Sequence, residues 1–205
     1  MERRIKMVKI NALGKVCPLP VIETKKALEE NDTVETTVDN EIAAQNLKKM
    51  AGQLGYDYQV KQNDAQSFTV RISKKKGEVA SIYEQELTRE NNIEDNYIVV
   101  VDTNTMGQGS KELGKQLLKM FIYSLTEQPD LPEKIIFYNG GVHLVSDNSD
   151  SLEDLQILAE NGVEIYACGA CLNYYNLSEK CKVGEVTNMY HIVEMMRQSK
   201  KIIKP

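Results

Sequence analysis

Hydrophobic and polar positions follow two different patterns along this chain, and the change comes near its middle. Over residues 7–72 short β-branched runs alternate with helical stretches, the signature of a small mixed α/β sheet domain. Residues 7–11 read as a strand, 18–30 as a helix and 33–38 as a strand. Residues 41–54 place Ile42, Ala43, Leu47 and Met50 on one helical stripe, and Gly55 comes next as the glycine that ends a helix. Strands at 56–61 and 68–73 complete a βαβαββ order. Two helices on one face of a four-stranded sheet would bury the apolar halves as a two-layer sandwich.

Residues 74–96 become charged and weakly patterned, opening on Lys74-Lys75-Lys76-Gly77 and closing near Asn91-Asn92. They predict a linker over 76–95 between domains 1–75 and 96–205, with room for a short helix around 82–87. Residues 97–101 then form a continuous apolar run, as in a strand buried on both faces. Helices at 110–126, 151–161 and 189–197 alternate with strands at 134–138 and 163–167, and residues 202–203 suggest a terminal strand. Ser149, Asp150 or Ser151 can cap the second of those helices. This order predicts a three-layer α/β/α domain on a mostly parallel sheet. No internal repeat or low-complexity tract interrupts it.

Composition narrows the function classes. Of 205 residues, 41% are hydrophobic and 27% charged, which fits a globular chain with a real core rather than a disordered one. No apolar run is long enough to span a bilayer, and the basic residues among 1–9 have no apolar stretch behind them, so the expected setting is cytoplasmic. A net charge of −5 speaks against non-specific nucleic-acid binding, since phosphate affinity needs clustered Lys and Arg. The basic runs at 74–76 and 200–201 read as solvated ends. Four cysteines without an export signal point to free thiols rather than a disulfide framework.

The first of them opens a helix. Leu13-Gly14-Lys15-Val16-Cys17-Pro18-Leu19-Pro20 leads directly into the stretch beginning at Val21. Pro18 suits the first helical position, which puts Cys17 at the N-cap, where free N–H groups and the positive helix end favour a thiolate. The alternative is a small buried cysteine with two prolines shaping a turn. Cys-Pro-x-Pro at a helix start, with Lys25-Lys26-Ala27-Leu28 and Val38-Asp39-Asn40 after it, resembles the TusA/SirA-like sulfur-relay family over about residues 5–73. The resemblance implies a sulfurtransferase module without metal, in which Cys17 accepts a sulfane sulfur and passes it on. Pro18 and Pro20 would set the helix entry. Lys15, Lys25 or Lys26 would add positive field, or simply be solvated.

A second site is expected in the other half. Cys168-Gly169-Ala170-Cys171 comes directly after a predicted strand and should lie at the carboxyl edge of the parallel sheet, where α/β folds place their sites. Met106-Gly107-Gln108-Gly109 should emerge on the same edge and meet it. Gly107, Gly109 and Gly169 are then candidate binding positions, with a tight turn as the plainer reading. The stretches at 102–109, 137–142 and 167–168 resemble the DsrE-like family, sulfur-relay subunits or their non-catalytic relatives, several of them homo-oligomers. In that family a cysteine after the corresponding strand can carry sulfur, and Cys168 matches it. Cys171 departs from the usual single cysteine. Three readings stay open for the pair: a redox disulfide, a zinc site lacking regular ligand spacing, and a second chalcogen carrier in which Cys171 releases the atom from Cys168. Cys181, in a polar loop, reads as an incidental exposed thiol, and His143 as a site-edge or structural histidine. Tyr174-Tyr175 would cover the pocket or pack.

A TusA-like module ahead of a DsrE-like one resembles the YedF family, sulfurtransferase-like proteins assigned to selenium metabolism. The Val183–Met189 stretch supports the same resemblance. It implies Cys17, Cys168 and Cys171 as catalytic thiols that hold sulfur or selenium as a persulfide or selenosulfide. No cofactor or metal is called for. The implied partners are a desulfurase-type donor and an acceptor protein, with selenophosphate synthesis as one destination, with no membrane or DNA, and with homo-oligomers formed through the C-terminal domain. The alternative functions are an oligomeric binding or assembly module and a Cys-x-x-Cys redox sensor.

Overall fold

The computed structural model describes residues 7–64, 66–74 and 97–205. The chain divides into two compact units, whose described parts are residues 7–74 and 97–205. The expected linker over 76–95 and its short helix at 82–87 lie outside the described residues.

The first unit runs β1 (Met7–Asn11), α1 (Leu19–Glu30), β2 (Thr33–Val38), α2 (Glu41–Gln53), β3 (Asp57–Asp64) and β4 (Ser67–Ser73). Its sheet order is β1-β2-β4-β3, with β1 parallel to β2 and the β3–β4 hairpin antiparallel. Strand alternation sends Val34, Thr36 and Val38 of β2 and Val70 and Ile72 of β4 to one face, where Leu28 of α1 and Leu47 and Met50 of α2 cover them. Thr24 on α1 gives its hydroxyl proton to Pro20 O at 2.6 Å and lies 2.7 Å from the Thr36 hydroxyl, so the core contains one satisfied polar pair. Asn40 caps α2 by accepting the Ala43 N–H at 2.8 Å. At the other end Gly55, at φ +66°, completes a Schellman turn, with its N–H on Gly52 O and the Tyr56 N–H on Ala51 O. The strand β3 runs three residues beyond the 61 expected, because ladder bonds with β4 carry the polar Gln62–Asp64 segment as well.

The second unit runs β5 (Tyr97–Val101), α3 (Lys111–Thr126), β6 (Lys134–Phe137), a 3-10 turn (Asn139–His143), α4 (Leu152–Glu160), β7 (Glu164–Cys168), α5 (Gly169–Tyr174), a second 3-10 turn (Ser178–Lys180), β8 (Glu185–Thr187), α6 (Met189–Gln198) and β9 (Lys201–Ile203). The five strands are parallel in the order β8-β7-β6-β5-β9. Val99, Val101, Ile135, Phe137, Ile165 and Ala167 face α3 and α4, while Ile98, Val100, Ile136 and Cys168 face Ile192 and Met195 of α6. This is the three-layer arrangement the apolar runs predict. The hydrophobic pattern predicts neither β8 nor α5, since three and six residues are too short to show a period. Cys181 corrects another expectation: it is half-buried, packs on the larger core and pairs with Ser146 in a β-bridge.

Candidate functional site

Cys17 stands on the loop that leaves β1, beside the start of α2. Because β1 and β2 are parallel, the loops that leave both strands open on one edge of the sheet. Gly14, Lys15, Val16, Cys17, Pro20 and Val21 from the first loop and Asp39, Asn40, Ile42, Ala43 and Asn46 from the second line a groove of about 250 Å³. The thiol is exposed, and Asn46 Nδ2 lies 3.9 Å from Sγ. Val16 and Ile42 are 67% and 70% exposed, so the rim beside the sulfur is apolar.

The helix start differs from the expectation. Pro18, not Cys17, occupies the N-cap, with φ −97° and ψ 9°, and the Cys17-Pro18 peptide is cis. The first-turn N–H groups are all accounted for without the sulfur. Leu19 donates to Val16 O at 3.0 Å, Val21 and Ile22 both donate to Pro18 O at 3.0 and 3.2 Å, and Pro20 has no N–H. Cys17 therefore sits one residue before the cap, presented by a turn rather than solvated by helix amides. Pro20 is buried and packs, which gives it a structural part in the entry.

The charges around the groove are mostly engaged. Gly14 donates its N–H to Asp39 Oδ2 at 2.7 Å and Asn40 Nδ2 donates to Asp39 Oδ1 at 2.7 Å. The Gly14 amide first, and the Asn40 side chain second, hold the Asp39 carboxyl below its ordinary 3.8. Lys15 pairs with Glu23. Lys25 and Lys26 are exposed on α1 and do not line the groove. Asn46 is the groove residue that sequence reasoning missed. It lies one turn after Ala43, on the flank of the helix stripe, and only the paired loops bring it to Cys17.

In the second unit Cys168 ends β7 and Cys171 sits in the third position of α5. Cys168 is 1% exposed, packed under α6 with Ile192 and Met195. Cys171 is half-buried between the two cores and receives the Asn139 backbone N–H at 3.1 Å. Cys171 packs against the cluster that holds Cys168. Burial first, then the Cys168 thiol, push the Cys171 thiol above 9.0, against the lowering effect of the Asn139 N–H. Tyr175 closes one side: its hydroxyl donates to Asn139 Oδ1 at 3.1 Å, and its ring packs on His143 at 4.8 Å and Tyr174 at 5.0 Å. The 3-10 turn that begins at Asn139 packs closely on β5, since a Cβ on Gly141 would come within 2.1 Å of Val101 O. The Asn-Gly-Gly sequence after a strand was the available sign of this turn.

The glycine loop leads from β5 into α3. Gly107, at φ +73°, and Gly109 are exposed, and a Cβ on either would meet nothing within 4 Å, so the space beside them is open and positive φ is the conformation that favours glycine there. At the start of α3, Ser110 Oγ takes the Leu113 N–H and Ser110 O takes the Gly114 N–H. Gly169 is set by packing: a Cβ there would touch Val186 Cγ1 at 3.0 Å. Among the described residues, no group of three His, Cys, Asp or Glu side chains is placed to hold a metal ion. No described helix is long and apolar enough to cross a membrane.

Comparison with known proteins respects the division of the chain. The family model of the sulfurtransferase TusA matches residues 8–74, and that of the DsrE/DsrF-like family matches residues 96–205, more than half of the chain. The chain belongs to the DsrE/DsrF-like family, with a TusA domain ahead of it. The TusA domain is similar to a protein of Methanocaldococcus jannaschii named as a candidate sulfur carrier, 36% identical over 73 residues that make up 34% of this chain and 97% of that one. It is also similar to a SirA-like protein of Desulfitobacterium hafniense of known crystal structure, with 43% identity, 34% of this chain and all of that chain covered, and a TM-score of 0.33. The DsrE-like domain is similar to a solved protein of unknown function from Methanobacterium thermoautotrophicum, with 20% identity, 54% of this chain and 100% of that chain covered, and a TM-score of 0.42. Cys17 falls within the TusA match, and Cys168 and Cys171 within the DsrE-like one.

Proposed function

We propose that this chain is a sulfurtransferase that holds sulfur or selenium on Cys17 as a persulfide or selenosulfide. The observation that carries the reading is the exposed Cys17 thiol, set in a groove between two loops of a TusA domain. A thiolate there attacks the outer atom of a donor persulfide, the donor thiolate leaves, and the atom stays on Cys17 until an acceptor thiolate takes it. The apolar rim of Val16 and Ile42 suits docking of a desulfurase-type donor and then of an acceptor protein. Cys168 and Cys171 form a second thiol station in the same chain. The finer reading is a place in selenium metabolism, in the cytoplasm, with delivery toward selenophosphate synthesis and with DsrE-like domains joined as a homo-oligomer.

The test is sulfur loading by a cysteine desulfurase and cysteine, read as protein-bound sulfane sulfur by cyanolysis. A chain bearing Cys168→Ala and Cys171→Ala should still load, and adding Cys17→Ser should abolish loading. Loss of loading while Cys17 remains open to alkylation would remove the carrier role. Repeating it with selenocysteine lyase and selenocysteine compares the two chalcogens on one thiol.

A further inference from the structure

The Cys-x-x-Cys pair has an arrangement that sets the order in which its thiols must act. Its first cysteine ends a strand and is 1% exposed beneath α6, so no incoming persulfide reaches it without the sheet and α6 parting. Its second cysteine is half-buried at the carboxyl edge, beside the exposed Asn139, whose backbone N–H already points at Sγ from 3.1 Å. Asn139 cannot drift away cheaply. Gly141 is pressed against Val101 O, and Tyr175 holds the Asn139 side chain at 3.1 Å. Cys171 packs against the core cluster that contains Cys168, three positions on from it along the chain. The more accessible thiol is thus the second one.

We infer that this dithiol releases the carried atom reductively, with Cys171 as the acceptor and Cys168 as the resolving thiol. This reverses the order expected from the sequence and rests on the chalcogen-carrier reading of the chain. In the first step the Cys171 thiolate attacks the outer sulfur of a persulfide R–S–SH. A bond forms between Cys171 Sγ and that sulfur, the S–S bond of the donor breaks, and R–S⁻ leaves. In the second step the Cys168 thiolate attacks Cys171 Sγ, the Sγ–sulfur bond breaks, and hydrosulfide leaves with the electron pair. The sulfane sulfur is reduced by two electrons and the two thiols are oxidised to the Cys168–Cys171 disulfide. A reduced dithiol from outside the chain must then reopen the disulfide before another cycle. The selenosulfide analogue releases hydroselenide by the same exchange. The Asn139 N–H stabilises negative charge on Cys171 Sγ, first as the attacking thiolate. The product is a free hydrochalcogenide, which suits a consuming reaction that takes the reduced anion rather than a protein persulfide.

The experiment uses the full-length chain with Cys17→Ser, exposed briefly to glutathione persulfide without other reductant and then desalted. Sulfide is measured against a protein-free control, and each cysteine is mapped by alkylation and peptide mass spectrometry. The expected result is one sulfide released per chain, together with a Cys168–Cys171 disulfide. With Cys168→Ala added, which avoids burying a new hydroxyl, release should fall to the control level and a stable persulfide should remain on Cys171. With Cys171→Ser added, neither a persulfide nor release should appear. Circular dichroism and limited proteolysis confirm that each variant is folded. A persulfide on Cys168 in the Cys171→Ser chain would overturn the order. So would a lasting Cys171 persulfide beside an alkylatable Cys168, or untouched thiols at both positions. Because the probe is a small persulfide and Cys17 is absent, failure of the Cys17 carrier role leaves this result unaffected, and the reverse also holds.

Discussion

Asp39 Oδ2 takes the backbone N–H of Gly14 at 2.7 Å, and this bond ties the loop carrying Cys17 to the start of α2. Gly14 lies at φ +74° with open space around it, so the loop has little side-chain packing of its own at that point. The presentation of Cys17 therefore depends on a carboxylate in the second loop. Asn40 serves both structures, since it caps α2 and also donates to Asp39.

Replacing Asp39 by Ala should free the Gly14 amide and loosen the loop without unfolding the domain. Amide hydrogen exchange at Gly14 should speed up while the Val34 and Val70 amides of the sheet keep their protection. The pH dependence has a definite sign. The folded carboxyl lies below 3.8, so its contribution to stability is complete above that value and fades as pH falls toward and through the folded pKa. An NMR titration of the Gly14 amide should find its midpoint below 3.8. A midpoint at or above that value would mean that the bond does not hold in solution.

The Thr24–Thr36 pair predicts an asymmetric cycle. Thr24 gives its proton to Pro20 O, so Thr36 is the donor between the two hydroxyls. Thr24→Val leaves the buried Thr36 hydroxyl without its Thr24 partner and should cost about 1–3 kcal/mol. Thr36→Val leaves Thr24 bonded to Pro20 O and should cost less. Denaturant unfolding of both single variants and the double variant measures the coupling, with the double variant expected to be more stable than the sum of the single losses.

Gly141 sets a steric limit independent of any chemistry at the thiols. A methyl group there would meet Val101 O at 2.1 Å, so Gly141→Ala should destabilise the DsrE-like domain by about 1–3 kcal/mol or more. It should also move Asn139 off Cys171 Sγ. Thermal unfolding reads the first effect, and faster loss of the Cys171 thiol to an alkylating agent reads the second.

Cys17 and Cys171 should separate under alkylation at neutral pH. Cys17 is exposed, whereas Cys171 is half-buried with a thiol held above 9.0 by burial and by Cys168. Iodoacetamide should label Cys17 first, and the Cys171 rate should keep rising as pH passes 9.0. A raised folded pKa also means that the neutral Cys171 thiol favours the fold below pH 9.0 and that this contribution is lost as pH climbs through the folded value. A Cys171 rate already level by neutral pH would contradict that environment.

The alternation of Val34, Thr36 and Val38 and the apolar run at Tyr97–Val101 made both sheets readable, because each strand's burial is set by period or its absence. The helix that follows Cys17 was readable because prolines suit a helix start. Its N-cap placement was not, since the turn that engages Leu19 N–H with Val16 O depends on loop geometry. The Gly107 and Gly109 pair read most plainly as a tight turn, and the positive φ of Gly107 agrees with that reading. The pairing of Asn46 with Cys17 and of Asn139 with Cys171 was not readable for one reason: each spans a gap of about thirty residues that only tertiary structure closes.

The most direct test of the carrier role is a cysteine-by-cysteine map of the intact chain after incubation with a cysteine or selenocysteine desulfurase and its substrate, under non-reducing conditions. Peptide mass spectrometry should place an added sulfur or selenium atom on Cys17, and the Cys17→Ser chain should lack it. A Cys17 that stays unmodified while still open to alkylation would contradict that role.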